Sequence, residues 1–230
     1  MKIGLLTIAT NKYTDFVNKF YESADKYFCK NYEVTYFLFT NKTDFVPQTK
    51  RNCKVLHIEH EPWPMITLKR YHSFCRYEQE LLKMEYVYYC DADMLFVDEV
   101  NNEIIGEKVV TIHPGFFNKP RNQLTYDTNP NCKAFIPPNV GKKYYAGGFN
   151  GGRTTQFLKM SRHIMNNIDE DLKRDIIARW HDESHLNHYY SVIERPNIEL
   201  SPSYCYPESW KLPFSKKLLA LDKNHKEYQV

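Results

Sequence analysis

The chain lacks the marks of several function classes. It has no Cys-x-x-Cys pair; its six cysteines, Cys29, Cys53, Cys75, Cys90, Cys132 and Cys205, are scattered. Such spacing fits neither a zinc site nor a disulfide framework, and it predicts reduced thiols in a cytosolic setting. It has no apolar run long enough to cross a bilayer. The apolar opening, residues 1–10, soon turns polar and has no small-residue cleavage site, so it reads as a first strand and not as a signal peptide or anchor. It has no strong charge bias, and a net charge of +3 does not argue for nucleic acid. It has no Gly-x-Gly-x-x-Gly and no Gly-Lys-Ser/Thr, which excludes those phosphate-binding loops. No internal repeat or low-complexity linker divides the 230 residues, a length that suits one large domain.

What is present is ordinary in bulk, with 42% hydrophobic and 26% charged residues. The aromatic share is high, with 18 Tyr, which suits sugars and nucleobases but also occurs without that role. Strand-like runs at 2–10, 33–40, 53–59 and 86–90 alternate with helical spacing at 14–28 and 66–84. In the first helix Thr14 or Asp15 is the candidate cap. This β-α-β-α-β order predicts an α/β nucleotide-binding half over the first hundred residues, with ligands at the carboxyl ends of the strands. The ends near Ala9-Thr10 and Asp91 then share one edge. The second half is less regular. Residues 109–113 read as a strand, 114–143 as loop, and 154–168 and 169–178 as helices.

Within the run Tyr88-Tyr89-Cys90-Asp91-Ala92-Asp93-Met94-Leu95-Phe96 stand two carboxylates at i and i+2. In extended chain they project to the same side and repel unless a cation or donors lie between them. Hard oxygen ligands suit Mg²⁺ or Mn²⁺, with a phosphate completing the shell. The plainer alternative is a polar turn at a strand end.

Other segments carry similar alternatives. Tyr144-Tyr145-Ala146-Gly147-Gly148-Phe149-Asn150-Gly151-Gly152 is either a tight bend between strands or a backbone wall brought close to a ligand. In Trp180-His181-Asp182-Glu183-Ser184-His185-Leu186-Asn187, the two histidines share a helical face, as zinc ligands do. The carboxylate order is wrong for a zinc protease, and a polar helix start capped by Asp182 competes. An exposed Trp beside such a cluster suits stacking on a sugar ring. His113, before a bend, reads as structural when taken alone. Arg70 reads as a surface charge, and Lys223 and Lys226 as tail charges or phosphate clamps.

Together these stretches resemble glycosyltransferase family 6, the family of the histo-blood group A and B transferases, the α1,3-galactosyltransferase and the Forssman glycolipid synthase. The resemblance runs over about residues 8–225. It rests on Trp180 to Asn187, Asp91-Ala92-Asp93, His113-Pro114-Gly115-Phe116, Leu124-Thr125-Tyr126, Tyr144 to Gly152, and Leu200-Ser201-Pro202-x-Tyr204. It implies an α/β GT-A fold over 1–230: a Rossmann-like UDP-binding half with a mixed sheet, about 1–100, fused to an acceptor-binding and catalytic half, about 101–230.

The resemblance also implies roles. Ile8, Thr10 and Tyr13 match the uracil and ribose segment, and Arg70, downstream of Trp63, matches a donor-sugar contact. Asp91 and Asp93 match the metal-diphosphate motif, and Lys223 matches a diphosphate clamp. Asp182 matches a donor contact and Glu183 the catalytic carboxylate, which also faces the acceptor. His113, Thr125 and Trp180 match acceptor contacts. Ala146, Gly147 and Gly148 match the donor-discriminating segment in its small, A-type form, which leaves room for an N-acetyl group.

The implied activity is retaining transfer of GalNAc from UDP-GalNAc to the 3-hydroxyl of a galactoside, in α linkage. UDP-galactose is the alternative donor. The acceptor is a galactose-terminated oligosaccharide, with or without fucose. The two aspartates imply dependence on Mn²⁺, with Mg²⁺ as the alternative ion. No anchor is evident, so the expectation is a cytoplasmic enzyme of the bacterial or phage type, with no membrane span. Pro207 stands where the blood-group enzymes have an acceptor-binding Asp, and the C-terminal diphosphate-binding Arg has no evident match except Lys226.

Overall fold

The structure, a computed structural model, describes residues 1–224 and Tyr228. Strand β1 (Lys2–Ile8) leads through a short turn into α1 (Thr14–Tyr27), followed by β2 (Glu33–Thr40) and β3 (Asn52–His57). Three short helices follow: α2 (Met65–Leu68), α3 (Arg70–Arg76) and α4 (Glu78–Leu81). Then come β4 (Tyr86–Cys90), β5 (Met94–Phe96), β6 (Val109–Ile112) and β7 (Tyr145–Arg153). Helices α5 (Thr154–Leu172) and α6 (His181–His188) precede β8 (Ile198–Leu200), β9 (Tyr206–Pro207) and β10 (Leu218–Ala220).

Among the described residues, seven strands form one mixed sheet in the order β3-β2-β1-β4-β7-β6-β8. Strands β1 to β4 run parallel, and β7 joins antiparallel to both β4 and β6. This is the mixed α/β architecture expected of a GT-A fold. Buried on both faces, β1 and β2 are almost continuously apolar and not alternating. Ile3, Leu5, Tyr36, Leu38 and Tyr88 face α1, which offers Val17, Phe20, Tyr21 and Ala24 at helical spacing. Leu6, Phe37, Phe39, Val87 and Tyr89 face the other layer, with Phe74, Phe157 and Leu158 of α3 and α5. A second small sheet, β5-β10-β9, lies beside the main one.

Three readings of the sequence are corrected. The helix expected over 66–84 is broken at Lys69 and Tyr77, whose backbones leave α-geometry. The breaks turn Arg70 inward and let the Tyr77 hydroxyl reach the His57 carbonyl of β3 at 2.6 Å. The two helices expected over 154–178 are one, ending at Leu172 before a left-handed residue, Asp175. The glycine-rich segment is no bend between strands; it is a central strand, β7. A Cβ at Gly151 would lie 2.3 Å from the Val87 carbonyl oxygen, and Gly152 has φ +132°, so these two glycines let β7 lie against β4 and leave the sheet.

No helix among the described residues is long and apolar enough to cross a membrane. All six cysteines are free.

Candidate active site

The parallel strands β1 and β4 end side by side, and a cavity of about 250 Å³ opens at that edge. Ile8, Thr10, Tyr13, Arg70, Asp91, Asp93 and Lys223 line it, so residues picked separately from sequence meet there. Ala92, His60, Trp63, Ile66, Thr67, Tyr89 and Tyr228 complete the wall. His60 Nδ1 lies 2.9 Å from Thr10 Oγ1. Tyr228 packs edge-on against Tyr13 and tilted on Phe16, with ring centres 5.5 and 4.9 Å apart. Trp63 was noted only as a neighbour of Arg70, and His60, Ile66, Thr67 and Tyr228 carry no local signal. Tyr89 stands inside the recognised strand run and was the one residue a period-two reading could have aimed at the site.

Arg70 is the centre of the site. It is 7% exposed, which rules out a surface charge. Its Nε lies 3.0 Å from Asp182 Oδ2. Its NH1 donates to Asp91 Oδ1 at 3.4 Å and to the Gly147 carbonyl at 3.2 Å. The guanidinium also lies over the Tyr89 ring, 4.6 Å from its centre. Burial works against its charge, but Asp182, Tyr89 and Asp91 outweigh that and raise its pKa.

Asp91 follows β4 directly and accepts the Tyr89 hydroxyl at 2.5 Å. Asp93 pairs with the Lys223 ammonium. Strand geometry brings them together: β10 runs antiparallel to β5, and the Leu221 amide continues the ladder to the Asp93 carbonyl at 3.0 Å. Burial, and then the charge of Asp91, raise the Asp93 pKa against the pull of Lys223. Two close carboxylates with hard oxygens, one already neutralised by a cationic nitrogen, make a donor set that fits a divalent metal ion. Lys226, read from sequence as a second phosphate contact, lies outside the described residues.

Beyond Arg70 lies β7, whose pairing with β6 is interrupted. Val110 pairs with Asn150 and Thr111 with Ala146, so Gly147, Gly148 and Phe149 bulge out of that ladder. Their backbone groups serve the site. The Gly147 amide donates to Glu183 Oε2 at 2.8 Å, and the Gly148 carbonyl accepts the Asp91 amide at 3.0 Å. A Cβ on Gly147 would meet Asp182 Oδ2 at 3.4 Å, an ordinary contact. One on Gly148 would press on Asp91 Oδ2 at 3.1 Å and Met94 Sδ at 3.2 Å. Ala146, the first of the three, is buried in β7.

Helix α6 carries the two remaining carboxylates. It starts from His181, which is left-handed at φ 48° and stands edge-on to Trp63, with ring centres 5.0 Å apart. Asp182 is not the helix cap; it is 2% exposed and turned onto Arg70. Nor do the two histidines meet, because His185 is buried against Asp171 on another side of the helix. Asn187 fixes α6 to β7 as a strand would. Its side chain accepts the Tyr145 amide at 2.8 Å and donates to the Tyr145 carbonyl at 2.8 Å. Burial raises Asp182 to about 6 and Glu183 to about 7, against the pull of Arg70 and of the Gly147 amide respectively.

The far side of Glu183 is also polar. The Tyr144 hydroxyl lies beside Thr125 and Glu183, yet neither it nor Thr125 Oγ1 has a hydrogen-bond partner, although both are buried. Unpartnered buried hydroxyls next to a carboxylate are what a polyhydroxylated ligand would satisfy. His113 stands edge-on to Tyr144 with ring centres 5.7 Å apart, and its Nδ1 accepts the Gly115 amide at 3.0 Å. Burial lowers His113 to about 4, so it is neutral. Trp180 is 46% exposed, as expected for a stacking surface. Trp210, also exposed, lies near Gly115: a Cβ there would be 3.8 Å from its ring.

The family model of glycosyltransferase family 6 matches residues 1–230. The chain is 32% identical over 237 residues to the globoside alpha-1,3-N-acetylgalactosaminyltransferase 1 of Gallus gallus, covering 99% of this chain and 69% of that protein. It is 33% identical over 234 residues to the histo-blood group ABO system transferase 1 of Rattus norvegicus, covering 97% and 67%. The O-antigen biosynthesis glycosyltransferase WbnI of Escherichia coli is 29% identical over 234 residues, covering 99% and 97%. The chain thus spans about two thirds of these animal relatives and nearly all of the bacterial one.

Proposed function

From the premise that the chain belongs to glycosyltransferase family 6, we infer that it moves GalNAc from UDP-GalNAc to the 3-hydroxyl of a galactoside, forming an α linkage with retention. The observation that carries this reading is the position of Glu183. It is bonded to Gly147, whose carbonyl holds Arg70 of the donor-side cavity, and it faces the unpartnered hydroxyls of Tyr144 and Thr125.

In this reading the halves divide the work within one catalytic unit. Ile8, Thr10 and Tyr13 take the uridine. Asp91 and Asp93 hold a divalent ion, Mn²⁺ or Mg²⁺, which when bound offsets the diphosphate charge and favours departure of UDP. Lys223 adds positive charge on the same side. Arg70 and Asp182 orient the donor sugar, and small residues at 146–148 leave space for its acetamido group. His113, Thr125 and Trp180 receive the acceptor, the indole stacking on a sugar face. Glu183 lies toward the anomeric carbon. Two routes use this carboxylate: a covalent glycosyl–enzyme ester, or stabilisation of an oxocarbenium ion while the acceptor attacks from the leaving-group side. The free thiols fit a cytoplasmic enzyme.

A donor assay tests the reading. UDP-GalNAc and UDP-galactose are compared with and without Mn²⁺, on fucosylated and unfucosylated galactosides. Faster, metal-stimulated transfer from UDP-GalNAc is expected. Preference for UDP-galactose would make the protein a galactosyltransferase, and no transfer or UDP release from either donor would leave a sugar-binding module.

A further inference from the structure

A second cluster of ligand atoms lies outside the cleft. Cys132, Asp171 and His185 come from the loop before β7, the last turn of α5 and the middle of α6. All three are at most 4% exposed. The Cys132 thiol donates to Asp171 Oδ2 at 3.2 Å, and His185 Nε2 lies 3.8 Å from the same oxygen. One atom from each residue lies within 4.8 Å of the others.

His185 is the unexplained member. Neither ring nitrogen has a hydrogen-bond partner, although the side chain is 1% exposed. Burial lowers its pKa to about 3, so the ring is neutral and Nε2 has a lone pair to give. An unpaired buried polar group costs about 1–3 kcal/mol. A polar network that existed only to hold the helices would put a donor opposite it.

We propose that Cys132, Asp171 and His185 bind one structural Zn²⁺ ion. The donor set is sulfur, nitrogen and one carboxylate oxygen, which suits zinc and not the hard ions expected at Asp91 and Asp93. With Zn–S near 2.3 Å and Zn–N or Zn–O near 2.0–2.1 Å, tetrahedral ligand edges are about 3.3–3.6 Å. The distances at Asp171 Oδ2, 3.2 and 3.8 Å, bracket that range. Binding displaces the thiol proton to solvent, and the resulting thiolate and carboxylate match the two charges of the ion. Water takes the fourth position. Asp171 is already oriented from outside by the Lys133 amide, 2.9 and 3.0 Å from its oxygens, and by Arg174 at 2.6 Å, the kind of support metal-binding carboxylates have. The ion would tie the Cys132 loop and α5 to α6 two residues after Glu183, holding the helix that carries the site.

The test uses the full chain purified without chelator. Zinc measured by elemental analysis should approach one ion per chain and resist a chelator treatment that removes Mn²⁺. After exchange, Co²⁺ should show a thiolate-to-metal absorption band, which Cys132→Ser abolishes and the Asp91→Asn/Asp93→Asn variant keeps. UDP binding serves as a separate readout, so failure of this site is distinguishable from failure of the enzymatic reading. If Cys132→Ser does not fold, the wild-type Co²⁺ spectrum decides. Folded protein with less than stoichiometric zinc, or with Co²⁺ bound without the thiolate band, overturns the proposal.

Discussion

Lys223 and Asp93 form an ion pair at the edge of the cavity, so an ammonium rests on a carboxylate proposed for a divalent ion. The two cations then compete. Replacing Lys223 with Met should tighten Mn²⁺ binding without nucleotide several-fold. The same change should weaken UDP binding about tenfold, the loss of one charge-assisted contact. Calorimetric titration of each ligand checks both. If Lys223→Met lowers Mn²⁺ affinity in the absence of UDP, the competition does not exist.

Glu183→Gln should cut transfer at least about 100-fold, because an amide neither attacks nor balances a cation. UDP affinity should stay close to wild type, since Glu183 meets the Gly147 amide and not the UDP-side wall. Single-turnover kinetics with an equilibrium UDP titration separate the two effects. Near-normal transfer would remove Glu183 from its proposed role.

The same variant reports on pH. Burial raises Glu183 from 4.5 in the unfolded chain to about 7, so between those values the folded protein holds a proton that the unfolded chain has released. Stability from this group therefore falls as pH rises through that window, and the deficit is complete above about 7. Glutamine has no such deficit. Because Glu183 is partly open to the cleft, about 1–2 kcal/mol is expected. Thermal unfolding should show Glu183→Gln melting higher than wild type at pH 8, with the two converging toward pH 5. A constant difference across pH would contradict the shift. Activity that needs the carboxylate charged should fall as pH drops below about 7.

Tyr144→Phe removes a buried hydroxyl with no partner. If that hydroxyl meets the acceptor, the acceptor KM should rise about fivefold to tenfold, the worth of one hydrogen bond, with donor KM unchanged. Thermal stability should not fall, because no internal bond is lost. A lower Tm with an unchanged acceptor KM would instead make it structural.

Gly148→Ala places a methyl 3.1 Å from Asp91 Oδ2. It should reduce kcat/KM for UDP-GalNAc more than for UDP-galactose. Gly147→Ala, whose methyl makes only ordinary contacts, should do less harm. Equal losses for both donors in Gly148→Ala would mean that this glycine serves packing alone.

Much of the cavity was legible because its residues sit at strand ends, where period-two patterns stop abruptly, as at Cys90-Asp91. Trp180 stood out because an indole beside five polar residues is anomalous in a core. Other parts were hidden for physical reasons. Gly147 and Gly148 read as a bend, since low strand propensity carries no trace of pairing with β4. Arg70 read as surface because its partners, Asp182 and Gly147, are distant in sequence and meet only through the sheet. His185 shared a helical face with His181 on paper, but a left-handed residue at the helix start moved His181 away.

The junction of β4 with β7 has a mechanical consequence. Tyr88 pairs with Gly151 and Val87 with Gly152, so chain from before and after residue 100 is woven into one continuous sheet. Two lobes sharing a central hydrogen-bonded ladder cannot swing apart like a clam. Any tightening around a ligand must come from pieces outside that ladder: the His60 to Thr67 wall and the segment after β10 that carries Lys223. Proteolysis or hydrogen exchange with and without UDP should therefore change at those two rims and leave the β4–β7 floor still.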